Sequence, residues 1–210
     1  MRVSVAFIAA LLLAVLPFEP ASAKTEHFRI DPVHTRVAFQ VSHAGFSNPI
    51  GSFSQAAGEM DFDPDDLAAC RVDVRIPIAT LDLGDEKWQG KILDATFFDA
   101  KKFPEARFVS SHVEKTGDND YAVDGVLTLH GSSHPLRLQA TFNALKRHPL
   151  TFRRTIGFSA RGTLDRSDFG MSAWAPLVGN DVRLLIEVAA AKARSADDPE
   201  ASAADAADKK

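Results

Sequence analysis

Seven segments of this chain alternate apolar and polar residues with a period of two, and that repetition limits the fold more than any other feature. CRVDVRIPI places Cys70, Val72, Val74, Ile76 and Ile78 on one side and Arg71, Asp73 and Arg75 on the other. LRLQATF sets Leu136, Leu138, Ala140 and Phe142 against Arg137, Gln139 and Thr141. VRLLIEV sets Val182, Leu184, Ile186 and Val188 against Arg183 and Glu187. RVAFQVS, RFVSSHVE, YAVDGVLTL and TIGFSARGTL follow the same rule less regularly. A helix needs a period near 3.6, so these are strands with one dry face and one wet face. Asn48-Pro49, Asp63-Pro64, Thr116 to Asp120 and Gly131-Ser132-Ser133 supply the turns between them. Short strands punctuated in this way predict an antiparallel barrel or sandwich.

One stretch departs from the pattern. GDEKWQGKILDATFFDAKKFP, residues 84–104, carries Trp88, Ile92, Leu93, Phe97 and Phe98 at mixed helical spacings. It predicts a short helix near 86–94 and a second turn over Asp99–Phe103 before Pro104. Such a helix either plugs an open barrel end or packs outside the sheet.

The two ends of the chain are of a different kind. Arg2, the uncharged run VSVAFIAALLLAVL and the Ala21-Ser22-Ala23 site predict a secretory signal over residues 1–23. No later run is long and apolar enough to span a membrane. Residues 191–210 consist mostly of Ala, Asp, Ser and Lys and predict a disordered tail. One folded domain, 24–190, remains. The formal charge of −4 argues against nucleic acid as a partner. Cys70 is the single cysteine, so no internal disulfide forms, and its phase makes it a small buried hydrophobe.

The histidines are the residues best suited to chemistry. His34 and His43 bracket RVAFQVS, but nine residues of strand hold them about 30 Å apart and on opposite faces. His130 and His134 flank Gly131-Ser132-Ser133, a hairpin loop across which they would face each other. Two imidazoles are fewer than the three or four protein ligands of a zinc site. Nucleophile-elbow, zinc-protease and nucleotide-binding motifs are absent; GFSARG has Arg161 where the elbow needs glycine. No catalytic set and no metal site is assigned. What remains is a barrel with an apolar inner face, either filled by its own side chains or holding one apolar ligand. Its lining is expected on the phase of Phe39, Val41, Val72, Val74, Leu127, Leu138 and Phe158.

Several pieces resemble the YceI-like family of periplasmic lipid- or polyisoprenoid-binding proteins. They are Ile30-Asp31-x-x-His34, Phe97-Phe98-Asp99-Ala100-x-x-Phe103-Pro104, Leu127-Thr128-Leu129-x-Gly131 and Arg166-Ser167-Asp168-Phe169-Gly170-Met171. The likeness extends over about residues 27–190. It implies an all-β, extended lipocalin-like antiparallel barrel of about eight strands with one or two short helices. It also implies a long apolar chain in the tunnel (a polyisoprenoid, an isoprenoid quinone or a fatty-acid derivative), no cofactor, no covalent chemistry and a periplasmic location. Where the family often has an Asp and a His-Leu pair before the Phe-Phe-Asp motif, this chain has Gln89 and Lys91-Ile92. Lys91 is therefore either a surface lysine or a head-group contact suited to an anion. His34 and His43 are the other candidates for the tunnel mouth. The expected role is non-catalytic binding, transport or storage of lipid, by a monomer or a homodimer. A histidine-dependent metal-binding protein or metalloenzyme is the alternative, and a filled barrel that binds nothing is a third.

Overall fold

In the computed structural model residues 25–194 are described, so the expected signal at 1–23 and all but the start of the expected tail lie outside the described residues. Ten strands form one antiparallel sheet: β1 (Glu26–Ile30), β2 (Arg36–His43), β3 (Ile50–Phe53), β4 (Ala57–Phe62), β5 (Arg71–Pro77), β6 (Glu105–Lys115), β7 (Asp120–Leu129), β8 (Ser132–Arg147), β9 (Arg154–Asp165) and β10 (Val178–Lys192). They make eight staves. The sheet order is β1-β4-β5-β6-β7-β8-β9-β10-β2-β3, and β10 also pairs with β1. One half of β10 holds β2, with Ile186 opposite Val37, and the other holds β1, with Arg29 opposite Ala191. β1 and β2 are thus one stave bent at residues 31–35, and β3 and β4 are a second, bent at 54–56 where Gln55 adopts a φ of 56°. The barrel is closed, with no free edge along its lower half.

Each alternating segment identified in the sequence is a strand here, and the interruptions have local causes. Register shifts between Ser110 and His112, Phe142 and Ala144, and Val178 and Val182 insert bulges that reset the phase. That is why RFVSSHVE alternates poorly: Phe108, Ser110 and Val113 are its buried residues, two apart and then three. Outward residues pair across the rungs. Arg107 donates to both carboxylate oxygens of Asp73, and Arg75 donates to Glu105. Ile78 is not part of β5 but starts a 3-10 turn, Ile78–Thr80, that buries it.

The helix α1 (Glu86–Leu93) begins at Asp85, whose carboxylate accepts from the Trp88 N–H at 2.7 Å. Asp99–Phe103 is a turn closed onto the Asp99 carbonyl and not a helix. Of the two placements open to this segment, the barrel end is the one found. Phe98 packs edge-on against Phe53 of β3 at 5.6 Å, and the Phe98 N–H donates to Ile92. The segment fills the upper gap between β3 and β6, where those strands are not paired with each other.

The hairpin between β7 and β8 differs from expectation. Its loop is the two residues His130-Gly131, with φ of 51° and 79°, and not Gly131-Ser132-Ser133. Two positive φ angles are what a tight hairpin turn demands, and Gly131 meets them with no Cβ to strike the Phe103 ring. Ser132 and Ser133 therefore belong to β8, paired with Leu129 and Thr128, and His134 pairs with Leu127.

Candidate ligand tunnel

The inward faces of the staves do not meet. They leave two chambers along the barrel axis, one below and a somewhat larger one above. Val37, Ile76, Phe108, Leu138 and Ile186 belong to both walls and form a waist at which the two chambers adjoin. The lower chamber is finished by the packed rings of Phe62, Tyr121, Phe142 and Phe158, with centroids 5.4–6.4 Å apart. The upper chamber is covered by Trp88, Ile92, Phe97 and Phe98 from the helix segment and by Met171. Beyond it the rim carries large apolar residues open to solvent: Phe46, Ile50, Trp174 and Leu177.

Both walls are carbon. Thr35, Asp61 and Tyr121 contribute to the lower lining, but almost no polar atom faces the space. Thr35, for example, turns its hydroxyl to the Ala189 carbonyl at 3.2 Å. Burial pushes the Tyr121 hydroxyl and the Cys70 thiol above their ordinary pKa values, so both are neutral at neutral pH. Cys70 is buried, as its phase predicted, although it stands one residue before β5.

Arg166 is the one cation in the upper lining, and it is 4% exposed. It starts the 3-10 turn Arg166–Phe169, which Asp165 caps by accepting from the Ser167 N–H. Its guanidinium donates to the carbonyls of Gly179 and Val178, each at 2.8 Å, and to that of Met171. The stem faces the chamber, and the charge is spent on pinning the β9–β10 connection over the barrel end. Burial lowers its pKa, with the neighbouring Asp165 carboxylate acting in the opposite sense.

All seven residues expected on the lining stand on a chamber wall. Val72, Val74 and Phe158 are below, Phe39, Val41 and Leu127 above, and Leu138 is at the waist. The three expected near a head group do not line either chamber. His34 lies at the bend between β1 and β2, exposed, with Nδ1 2.8 Å from an Asp31 oxygen. His43 ends β2, exposed, in a bridge with Ser47. Lys91 is on the exposed side of α1. Lining residues that sequence reasoning did not single out include Ile76, Phe108 and Ile186. The phases of CRVDVRIPI and VRLLIEV already pointed to the first and last of these.

The histidine pair is also dispersed. His130 Nδ1 lies 3.0 Å from the Phe169 carbonyl and its ring rests on Phe103, while His134 packs edge-on against the Phe169 ring. Among the described residues, no group of three or more His, Cys, Asp or Glu side chains converges to hold a metal ion.

Residues 28–190 match the family described as the YceI-like domain. A UPF0312 protein of Pseudomonas putida is 34% identical over 165 residues, which is 78% of this chain and 85% of that one. The solved YCEI protein of Campylobacter jejuni superimposes with a TM-score of 0.65 at 30% identity, covering 71% of this chain and 88% of that one. A polyisoprenoid binding domain from Saccharophagus degradans, implicated in plant cell wall breakdown, has the same fold, with a TM-score of 0.61 at 13% identity. It is covered in full, against 81% of this chain.

Proposed function

This chain belongs to the YceI-like family, and from that membership we propose that its barrel binds one long apolar lipid, end to end through both chambers, without chemical change. The carrying observation is the pair of carbon-walled chambers that adjoin at a waist inside a closed sheet. Each methylene withdrawn from water contributes about 0.8 kcal/mol, so a chain of modest length binds tightly with no polar anchor. The binding named for the Saccharophagus domain of like fold supports a prenyl chain as the ligand. An isoprenoid quinone or a fatty-acid derivative fits the same walls, because those walls address the hydrocarbon alone. Any head group stays at the upper end, outside the chambers. The N-terminal signal expected from the sequence would deliver the protein to the periplasm, where it carries or stores this lipid.

The test is organic extraction of the purified protein followed by mass spectrometry, with uptake of added prenyl alcohols and fatty acids by the emptied protein. A stoichiometric long-chain lipid, or saturable uptake of one, is expected. A protein that yields no lipid and takes up no chain of any length refutes the reading.

A further inference from the structure

We infer that the β8–β9 hairpin is a docking element for an anionic bilayer surface. Its tip, residues 148–153, connects the two strands at the base of the barrel, away from the upper rim. The pairing of β7 with β8 stops at Thr141, opposite Asp120, whereas that of β8 with β9 continues to Arg147, opposite Arg154. The hairpin therefore projects past the end of β7.

Two large apolar side chains stand out from it, Leu150 at 82% exposure and Phe152 at 65%. They are held outward by a structured loop. The His148 N–H donates to Arg153, the Phe152 N–H donates back to His148, and His148 Nδ1 faces the N–H groups of Leu150 and Thr151. Phe152 sits at a φ of 55°, and its carbonyl accepts from Arg147.

Around these two residues the charge is of one sign. Lys146, Arg147, Arg153 and Arg154 fall within nine residues, and no acidic residue occurs from Asn143 to Gly157. Lys192 lies alongside, with its carbonyl accepting from Arg153. Glu26 is ion-paired with Arg154 and Lys192. Among the described residues, Lys146, Arg147 and Arg153 have no carboxylate within ion-pair distance. The chain is acidic overall, and Asp65, Asp66, Asp118 and Asp120 lie on or beside the neighbouring connections at this end, yet the projecting hairpin itself is cationic. Exposed apolar residues flanked on both strands by Lys and Arg complement the headgroup layer of an anionic membrane: the cations meet phosphates while Leu150 and Phe152 enter the acyl boundary. A polyanion such as nucleic acid would use the cations and leave the two hydrophobes in water.

The chain from residue 24, which retains every described element, would be sedimented with vesicles of about one-third phosphatidylglycerol in phosphatidylcholine and with pure phosphatidylcholine vesicles. Binding to the anionic vesicles only, weakening as salt is raised, is expected. Lys146→Glu with Arg147→Glu should weaken it by about tenfold or more, and Leu150→Ser with Phe152→Ser by a similar factor. A thermal melt of each double variant confirms that the barrel is folded. Equal binding to both vesicle types, or binding that survives both double variants, overturns the proposal. So does a duplex oligonucleotide held through the cations with no dependence on Leu150 and Phe152. Residues 195–210 include Asp197, Asp198, Glu200, Asp205 and Asp208. Vesicle binding that appears only after their removal would make this acidic segment, not the bilayer, the occupant of the hairpin.

Discussion

Ile186→Trp tests whether the two chambers serve a single ligand. Ile186 on β10 and Phe108 on β6 approach the waist from opposite sides of the ring of staves, with four strand steps between them. An indole at position 186 would fill the space through which a chain must pass to reach the lower chamber. The lower chamber would then be closed to the chain, leaving the upper one alone to hold it. A chain short enough for the upper chamber loses nothing by this. A longer one leaves methylenes in water, each forfeiting about 0.8 kcal/mol, or roughly fourfold in Kd. Three excluded methylenes amount to about 2.4 kcal/mol, a loss of roughly sixtyfold. The assay is displacement of a fluorescent fatty acid by competitors of graded length. Wild-type affinity should climb with length to the limit of both chambers, whereas the variant's should level off earlier. Val37→Trp, on the cross-strand neighbour of Ile186, should place the break at the same length. Overpacking costs about 1–3 kcal/mol in a filled core, and a thermal melt reports whether the void absorbs it. If a folded variant binds long and short chains as the wild type does, or loses both alike, the chambers do not act as one tunnel.

Three further outcomes follow from the same structure. Gly125→Ala would put a Cβ 2.4 Å from the Phe108 ring and 2.5 Å from the Val109 carbonyl; a destabilisation of about 1–3 kcal/mol by urea melt is expected, and Phe108 should shift at the waist. Cys70 should resist a thiol reagent near pH 8 in the folded protein and react fully once unfolded. Since its pKa is raised by burial, the stability its neutral thiol gives is complete below the ordinary thiol range and is lost as pH rises through that range towards the folded value. Glu26 behaves in the opposite sense: burial raises its pKa, but the hydrogen bonds from Arg154 and Lys192 outweigh this and the net shift is downward. Its contribution is present above the ordinary glutamate range and is lost as pH falls through the depressed value, so Glu26→Gln should lower the neutral-pH Tm slightly and flatten the acid limb of a pH–Tm profile.

The barrel was legible wherever a strand was long and its neighbour regular. Val72-Val74-Ile76 and Leu184-Ile186-Val188 declare an inner face in the sequence, and the same residues line the chambers. The bent staves were not legible. IGSF and AGEMDF are too short to show a period, and the bend at Gln55 between them is a backbone conformation that side-chain patterning does not encode. Bulges such as that at Ser110 hid the phase of β6, which is why Phe108 went unassigned. A histidine's type does not encode its surroundings, so neither the tunnel-mouth expectation for His34 and His43 nor the cross-strand pairing of His130 with His134 matches the structure. His34 is tied to Asp31, and His130 sits in the turn itself instead of across from His134. Nor does an apolar phase reveal whether a barrel is filled or hollow. That depends on how widely the staves are splayed, and the strand count, tilt and register that set the splay are properties of the closed sheet.

The bare carbon lining has a consequence for selection. A site with a polar anchor recognises one molecule among many, and its occupancy reports an affinity. A tunnel without one behaves as a small hydrocarbon phase bounded by protein, into which a chain dissolves. Two chains of equal length and similar width would then partition almost alike, and under the proposed function what fills the barrel would be set by which chains it meets most. The lipid drawn out with the protein would be a sample of its source, changing when the source changes, with no residue of the wall altered.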